Sequence, residues 1–243
     1  MCGHVYSDRR GYKYYKVQDI DSIFNKIIPH FDTYPLITSK QLNYLAFKQI
    51  VLMVRNKEHL NTDGRFKIEK LISLMNSKRP FEDKWMFLQN SKDIIINSNW
   101  LQAFINGEGT FYFYIGERIR PNGNINKIAS PTLEISQNTH DILILSAIRN
   151  YFASGYLKPK FDITNKEEAL KVRSVSRYIY TNAADIIKFI DKYPMFTNKE
   201  AEDYLKWKKL VELKEQNAHN TESGLNNMIN IKQSMNSGKY KIK

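Results

Sequence analysis

Trp100-Leu101-Gln102-Ala103-Phe104-Ile105-Asn106-Gly107-Glu108-Gly109-Thr110-Phe111 is the stretch on which the reading of this chain turns. Leu101, Phe104, Ile105 and Glu108 recur at i, i+3, i+4 and i+7, one side of a helix, while Ala103 and Gly107 stand i, i+4 and leave room for another backbone. Such a helix is built to pack tightly against a neighbour. Gly109 is expected to end it, which places Glu108 at the helix terminus. Phe111, Phe113 and Ile115 then alternate with Tyr112 and Tyr114, the period of a strand.

The chain has 243 residues, a formal net charge of +12 and one cysteine, Cys2. A charge that large favours polyanionic partners, because neutralising phosphates releases counterions. One cysteine excludes an internal disulfide framework and any cysteine-based zinc site. The five histidines are scattered. No apolar run is long enough to span a membrane, the N-terminus does not read as a signal peptide, and no import sequence is recognisable. The excess of Lys, Asn, Ile and Tyr suits an AT-rich organellar gene, so a mitochondrial, organelle-encoded protein is expected.

Outward from the motif, short alternating segments at residues 3–8 and 11–19 predict a hairpin. A helix over residues 21–31 closes at Tyr34-Pro35. Thr38 or Ser39 caps a longer helix, with Leu42, Leu45, Ala46, Gln49 and Met53 near helical spacing, and Asn61-Thr62-Asp63-Gly64 opens another. Residues 78–99 read as a polar linker. After the motif strand, residues 118–130 read as a basic loop and 132–137 as a second strand. A helix over 141–152, strands at 156–162 and 171–180, and helices over 183–192, 199–216 and 222–235 complete the order.

The end of the chain repeats its beginning. Ile27-Ile28, Asp32, Tyr34-Pro35, Thr38 and Lys40 recur as Ile186-Ile187, Asp191, Tyr193-Pro194, Thr197 and Lys199, an offset of 159. After one inserted residue the offset becomes 160, pairing His59 with His219, Gly64 with Gly224 and Met75-Asn76-Ser77 with Met235-Asn236-Ser237. Chance does not give that many identities in order. The predicted organisation is half a repeat at residues 1–77, a linker at 78–97, a complete repeat at 98–237 and a basic tail at 238–243. The half-repeat starts where its own motif helix, first two strands and following helix should already have passed.

The motif resembles that of LAGLIDADG homing endonucleases and their maturase relatives, and the resemblance covers nearly the whole chain. Leu101 matches the first Leu, Ala103 and Gly107 the small packing positions, Glu108 the metal-binding acid and Gly109 the closing Gly. Gln102 departs from the usual small residue, and Asn106 from the usual Asp. The resemblance implies an α+β fold of αββαββα repeats joined at paired motif helices, here through Leu101, Ala103, Phe104 and Gly107. It also implies strands that lie on nucleic acid, with Tyr112, Tyr114, Glu117, Arg118, Arg120, Asn122, Asn124, Lys158, Lys160, Arg173 and Arg177 as the candidate contacts. Gln137 matches a position near the family's active site.

Cleavage in that family implies Mg²⁺ shared between one carboxylate from each motif helix and the scissile phosphates. Glu108 supplies one such acid. Asp8 and Asp19 follow strands and cannot supply the other, so the expectation is half of a catalytic site, with Glu108 vestigial unless a partner completes it. Three readings follow from the resemblance. The first is a non-cleaving RNA-binding protein, a maturase or a component of an organellar ribonucleoprotein such as the mitoribosome, with other proteins of a large assembly as partners. The second is a site-specific DNA endonuclease completed by a second copy or an upstream segment. The third is an inert relic of an intron reading frame.

Overall fold

The computed structural model describes residues 2–89, 94–158 and 175–236. The chain forms two compact units, residues 1–94 and 95–243. The first unit opens with the expected hairpin, β1 (His4–Ser7) paired antiparallel to β2 (Lys13–Lys16). A helical stretch follows in three pieces: α1 (Ile20–Ser22), a π-helical turn over Ile23–Ile27, and α2 (Ile28–Thr33). Pro29 explains the wide turn, because a proline ring inside a continuous α-helix collides with the carbonyl four residues back. The stretch ends at Tyr34, ahead of Pro35, as the sequence requires.

Next come α3 (Lys40–Arg55), α4 (Thr62–Ser73) and α5 (Phe81–Gln89). Asn61 caps α4 by accepting from Gly64 N–H at 2.7 Å. The apolar spacing of α3 buries Tyr44, Ala46, Val51 and Met53, whereas Leu45, expected on that face, is 48% exposed. A further correction concerns residues 78–99, which hold α5 where a linker was expected. Pro80 before the helix and Glu82 and Asp83 in its first turn are ordinary start signals.

In the second unit the motif helix is α6 (Ser98–Glu108), capped by Asn97, whose side chain accepts from Trp100 N–H. Gly109 does not terminate it by a left-handed turn. Its φ of −77° and ψ of 151° are extended, and it begins β3 (Gly109–Ile119). Glycine is required there by close approach, since a Cβ would meet Ile105 O at 2.5 Å. Strand β3 pairs antiparallel with β4 (Ile125–Asn138) along its whole length. The expected basic loop over 118–130 is therefore the outer end of a ribbon, with its turn at residues 121–123. Both faces of those outer rungs are largely solvated, which erases the apolar alternation that marks a strand in a sequence.

The remaining elements are α7 (Ile142–Phe152), β5 (Tyr156–Lys158), β6 (Val175–Tyr180), α8 (Ala183–Lys192), α9 (Asn198–Glu215) and α10 (Glu222–Gln233). Among the described residues the sheet order is β3-β4-β6-β5. Phe111, Phe113, Leu133, Ile135, Tyr178 and Tyr180 point to one face and are buried, together with Leu101 and Ile105 of α6, Ile144, Leu145 and Ile148 of α7, and Trp207 of α9. The helices therefore cover one side of the sheet. The edge of β3 is closed by side chains from α9 and beyond: Trp207 Nε1 donates to Tyr112 O and Asn236 Nδ2 to Phe111 O, each at 3.0 Å.

The internal repeat is visible in the hydrogen bonds. Asp32 accepts from Tyr44 and Lys48, and Asp191, offset by 159, accepts from Tyr204 and Lys208. Asn76 N–H donates to Asn43 and Asn236 N–H to Asp203. Lys57 and Asn217 hold φ of 62° and 58° at matching turns.

Candidate nucleic-acid interface

The uncovered side of the four-stranded sheet is set by parity: residues paired across strands share a face. Tyr112 stands opposite Thr132, Tyr114 opposite Ser130, and Arg118 opposite Asn126. Ser136 pairs with Arg177, which pairs in turn with Lys158, and the neighbouring row runs Thr110, Glu134, Ile179, Tyr156. Tyr112, Tyr114, Arg118, Lys158 and Arg177 are all exposed, so the strand alternation brings these candidates together on one surface. Tyr114 lies along the strand over Gly116, where a Cβ would collide with its ring. Lys232, reaching from α10, stands 5.7 Å from the Tyr112 ring centroid.

Not every candidate joins this face. Glu117 and its partner Lys127 point to the opposite side by parity. Asn122 and Asn124 sit in the ribbon turn, where Asn122 accepts from Asn124 N–H. Arg120, just past β3, is exposed and donates to Asn126 in the amide orientation that satisfies both groups. Lys160, Arg173 and the tail at 238–243 lie outside the described residues. Sequence reasoning missed Glu134, Ser136, Tyr156 and Asn126. Parity with Tyr112 and Arg177 identifies them once the strand ends are known.

At the base of the ribbon stands the motif helix. Glu108 is exposed at its C-terminal end. Gln137 lies two residues beyond Ile135, the partner of Gly109, so the register puts it at the same end of the sheet as Glu108. The proposed packing set divides. Leu101 is fully buried in its own unit and Phe104 stacks on Trp100 with centroids 4.4 Å apart. Ala103 and Gly107 face outward, and a Cβ at Gly107 would meet no atom within 4 Å.

Gln102 and Asn106, the two departures from the family motif, have structural work one turn apart. Gln102 Nε2 donates to Pro194 O at 2.5 Å. The buried Asn106 accepts from Phe196 N–H at 3.0 Å and Thr197 N–H at 3.4 Å, and donates to Thr197 Oγ1. Asn106 thereby ties the motif helix to the two residues that lead into α9, while the Thr197 hydroxyl donates to Glu200 in the first turn of α9 instead of accepting from a backbone N–H.

Metal coordination is less complete. Among the described residues no three His, Cys, Asp or Glu side chains gather as a metal site. Mg²⁺ is held by several oxygens. Glu108 alone does not fit that requirement, and no cleavage step is assigned to these residues by themselves.

The family profile described as LAGLIDADG endonuclease matches residues 1–51 and 101–211. The chain belongs to the LAGLIDADG endonuclease family. Probable intron-encoded endonuclease 2 of Neurospora crassa is 29% identical over 244 residues, covering 91% of this chain and 49% of the relative. Probable intron-encoded endonuclease 3 of the same fungus is 28% identical, covering 88% of this chain and 40% of the relative. The chain thus spans about half the length, or less, of these curated relatives. Among solved structures, the homing endonuclease I-SmaMI bound to cleaved DNA is similar at 25% identity and a TM-score of 0.76, covering 98% of this chain and 79% of that one. I-SmaMI on an uncleaved DNA target in the presence of calcium ions is similar at 26% identity, with the same TM-score of 0.76, over 96% of this chain and 79% of that one.

Proposed function

We propose that this chain is the DNA-binding part of an intron-encoded, mitochondrial LAGLIDADG endonuclease, and that it cuts only when a second motif helix completes it. The observation that carries the reading is the open sheet face, which Tyr112, Tyr114, Arg118, Lys158 and Arg177 share, with Glu108 at the base of the ribbon. A two-stranded ribbon fits the major groove, where base edges are distinguishable. The outward Ala103 and Gly107 suit a second helix, from upstream polypeptide or a second copy. That helix would bring the acid that Mg²⁺ coordination lacks here. A duplex-DNA partner is supported by the I-SmaMI structures solved on DNA.

The expectation of RNA binding without cleavage stands as a second reading. Exposed Tyr112, Tyr114 and Tyr156 favour it, since unpaired bases stack on such rings. Competition separates the two: duplex DNA displaces a labelled duplex at lower concentration than single-stranded RNA does under the DNA reading. The reverse order promotes the RNA reading. Binding should weaken steeply with salt, and Arg118→Ala with Arg120→Ala should reduce the slope of log K against log salt by about 2, one per phosphate contact. A salt-independent binding constant would sink both.

A further inference from the structure

We infer that Arg177 and Glu134 act together as a reader of one G·C base pair, with Glu134 a specificity-determining residue. The inference rests on the open face being the duplex-DNA surface. Arg177 Nε lies 3.5 Å from Glu134 Oε1, and the two side chains are 51% and 29% exposed. Ser136 Oγ donates to the same Glu134 oxygen at 3.4 Å. Glu134 precedes Ser136 on β4, and Ser136 is the cross-strand partner of Arg177, so all three side chains rise from the same face.

A carboxylate in the middle of this surface requires a reason. An exposed ion pair stabilises a fold very little. A negative charge there also repels phosphates, which weakens the sequence-independent part of binding. Orientation is the gain that remains. The guanidinium is planar and rigid, so an ion-pair contact made at Nε leaves its far edge, the two η nitrogens, as a donor fork for whatever lies on the sheet. That donor fork matches the O6 and N7 acceptors of guanine. The second Glu134 oxygen is an acceptor beside it, and the N4 amino group of cytosine is the matching donor in the same base pair. A donor fork next to an acceptor is the complement of the major-groove edge of G·C. A·T offers an amino group where guanine has O6, and a lone phosphate offers no donor for Glu134.

The experiment is selection of the purified chain, and of two variants, on a randomised duplex library, with a salt titration on a bulk duplex of fixed sequence. Wild type should enrich G·C over other pairs at one position on the order of tenfold to a hundredfold. Glu134→Gln should flatten that position while bulk affinity holds or rises, because a negative charge has gone. Arg177→Ala should erase the same position with the salt slope almost unchanged, whereas loss of a phosphate contact lowers the slope by about 1 and leaves the base profile intact. Circular dichroism confirms that each variant is folded. Duplex binding in which Glu134→Gln leaves every position of the profile unchanged overturns the inference alone. Absence of duplex binding by wild type overturns the DNA surface and this inference with it.

Discussion

Residues 27–76 and 186–236 are one structural sentence written twice, with different surroundings. Both copies bond Asp to Tyr and Lys across the helix corner, and both cap the last helix over a glycine. In the second copy α9 lies against β3, with Trp207 fully buried. Phe47 stands at the matching place on α3 and is half-buried. The outer surfaces differ too. Leu52, Leu60, Phe66 and Ile72 are exposed where the second copy carries Glu212, Asn220, Asn226 and Lys232. What the copies share is what shapes the helix corner, and what they do not share is the surface around it.

The largest effect should come from Trp207→Ala. Removing a fully buried ring that also caps a strand carbonyl should cost the second unit about 3–5 kcal/mol, while Phe47→Ala should cost the first unit clearly less. Hydrogen exchange followed by mass spectrometry reads the two units separately. Equal losses would mean that α3 is as firmly packed as α9 and would break the contrast.

Next in size are the paired glycines. A Cβ at Gly64 would land on Glu58 O and one at Gly224 on Ala218 O, in both cases backbone. Gly64→Ala and Gly224→Ala should each cost about 1–3 kcal/mol, by the same amount in the two units. Unequal costs in chemical denaturation would show that the two turns only look alike.

The smallest effect is acid sensitivity. The lysine and tyrosine hydrogen bonds hold Asp32 and Asp191 below the ordinary carboxylate range, Lys48 and Lys208 contributing most. A depressed carboxyl stabilises the fold above its unfolded pKa, near 4, and that stability fades as pH falls through the lower folded value. Asp191→Asn should therefore flatten the acid limb of a stability profile between neutral pH and pH 3. Steepening of that limb would reverse the assigned sign.

Much of this was legible in the sequence. The repeat announced the shared corner, because Asp, Tyr-Pro and the capping Gly are residues that hydrogen bonds and close approach leave little freedom to change. The motif helix and the parity of Tyr112 and Tyr114 were likewise readable from spacing. The outer ribbon was not, since residues 118–130 serve no core and carry no apolar rhythm. Glu134 was hidden for a different reason: one acid among basic neighbours means nothing until the register sets it beside Arg177. The role of Asn106 was hidden as well, its partners lying some ninety residues away.

The length of the ribbon has a consequence in the currency of DNA itself. A strand rises about 3.4 Å per residue, and the base pairs of B-DNA are stacked at about the same interval. The 11 residues of β3 therefore measure close to one turn of duplex, and alternate side chains step along it about two base pairs at a time. Under the proposed DNA-binding function, outer rungs that serve no core leave the address such a ribbon would read free to change while the fold stands still. Chemical footprinting should find about ten base pairs protected by this unit, and a markedly shorter stretch would break the correspondence between strand and groove.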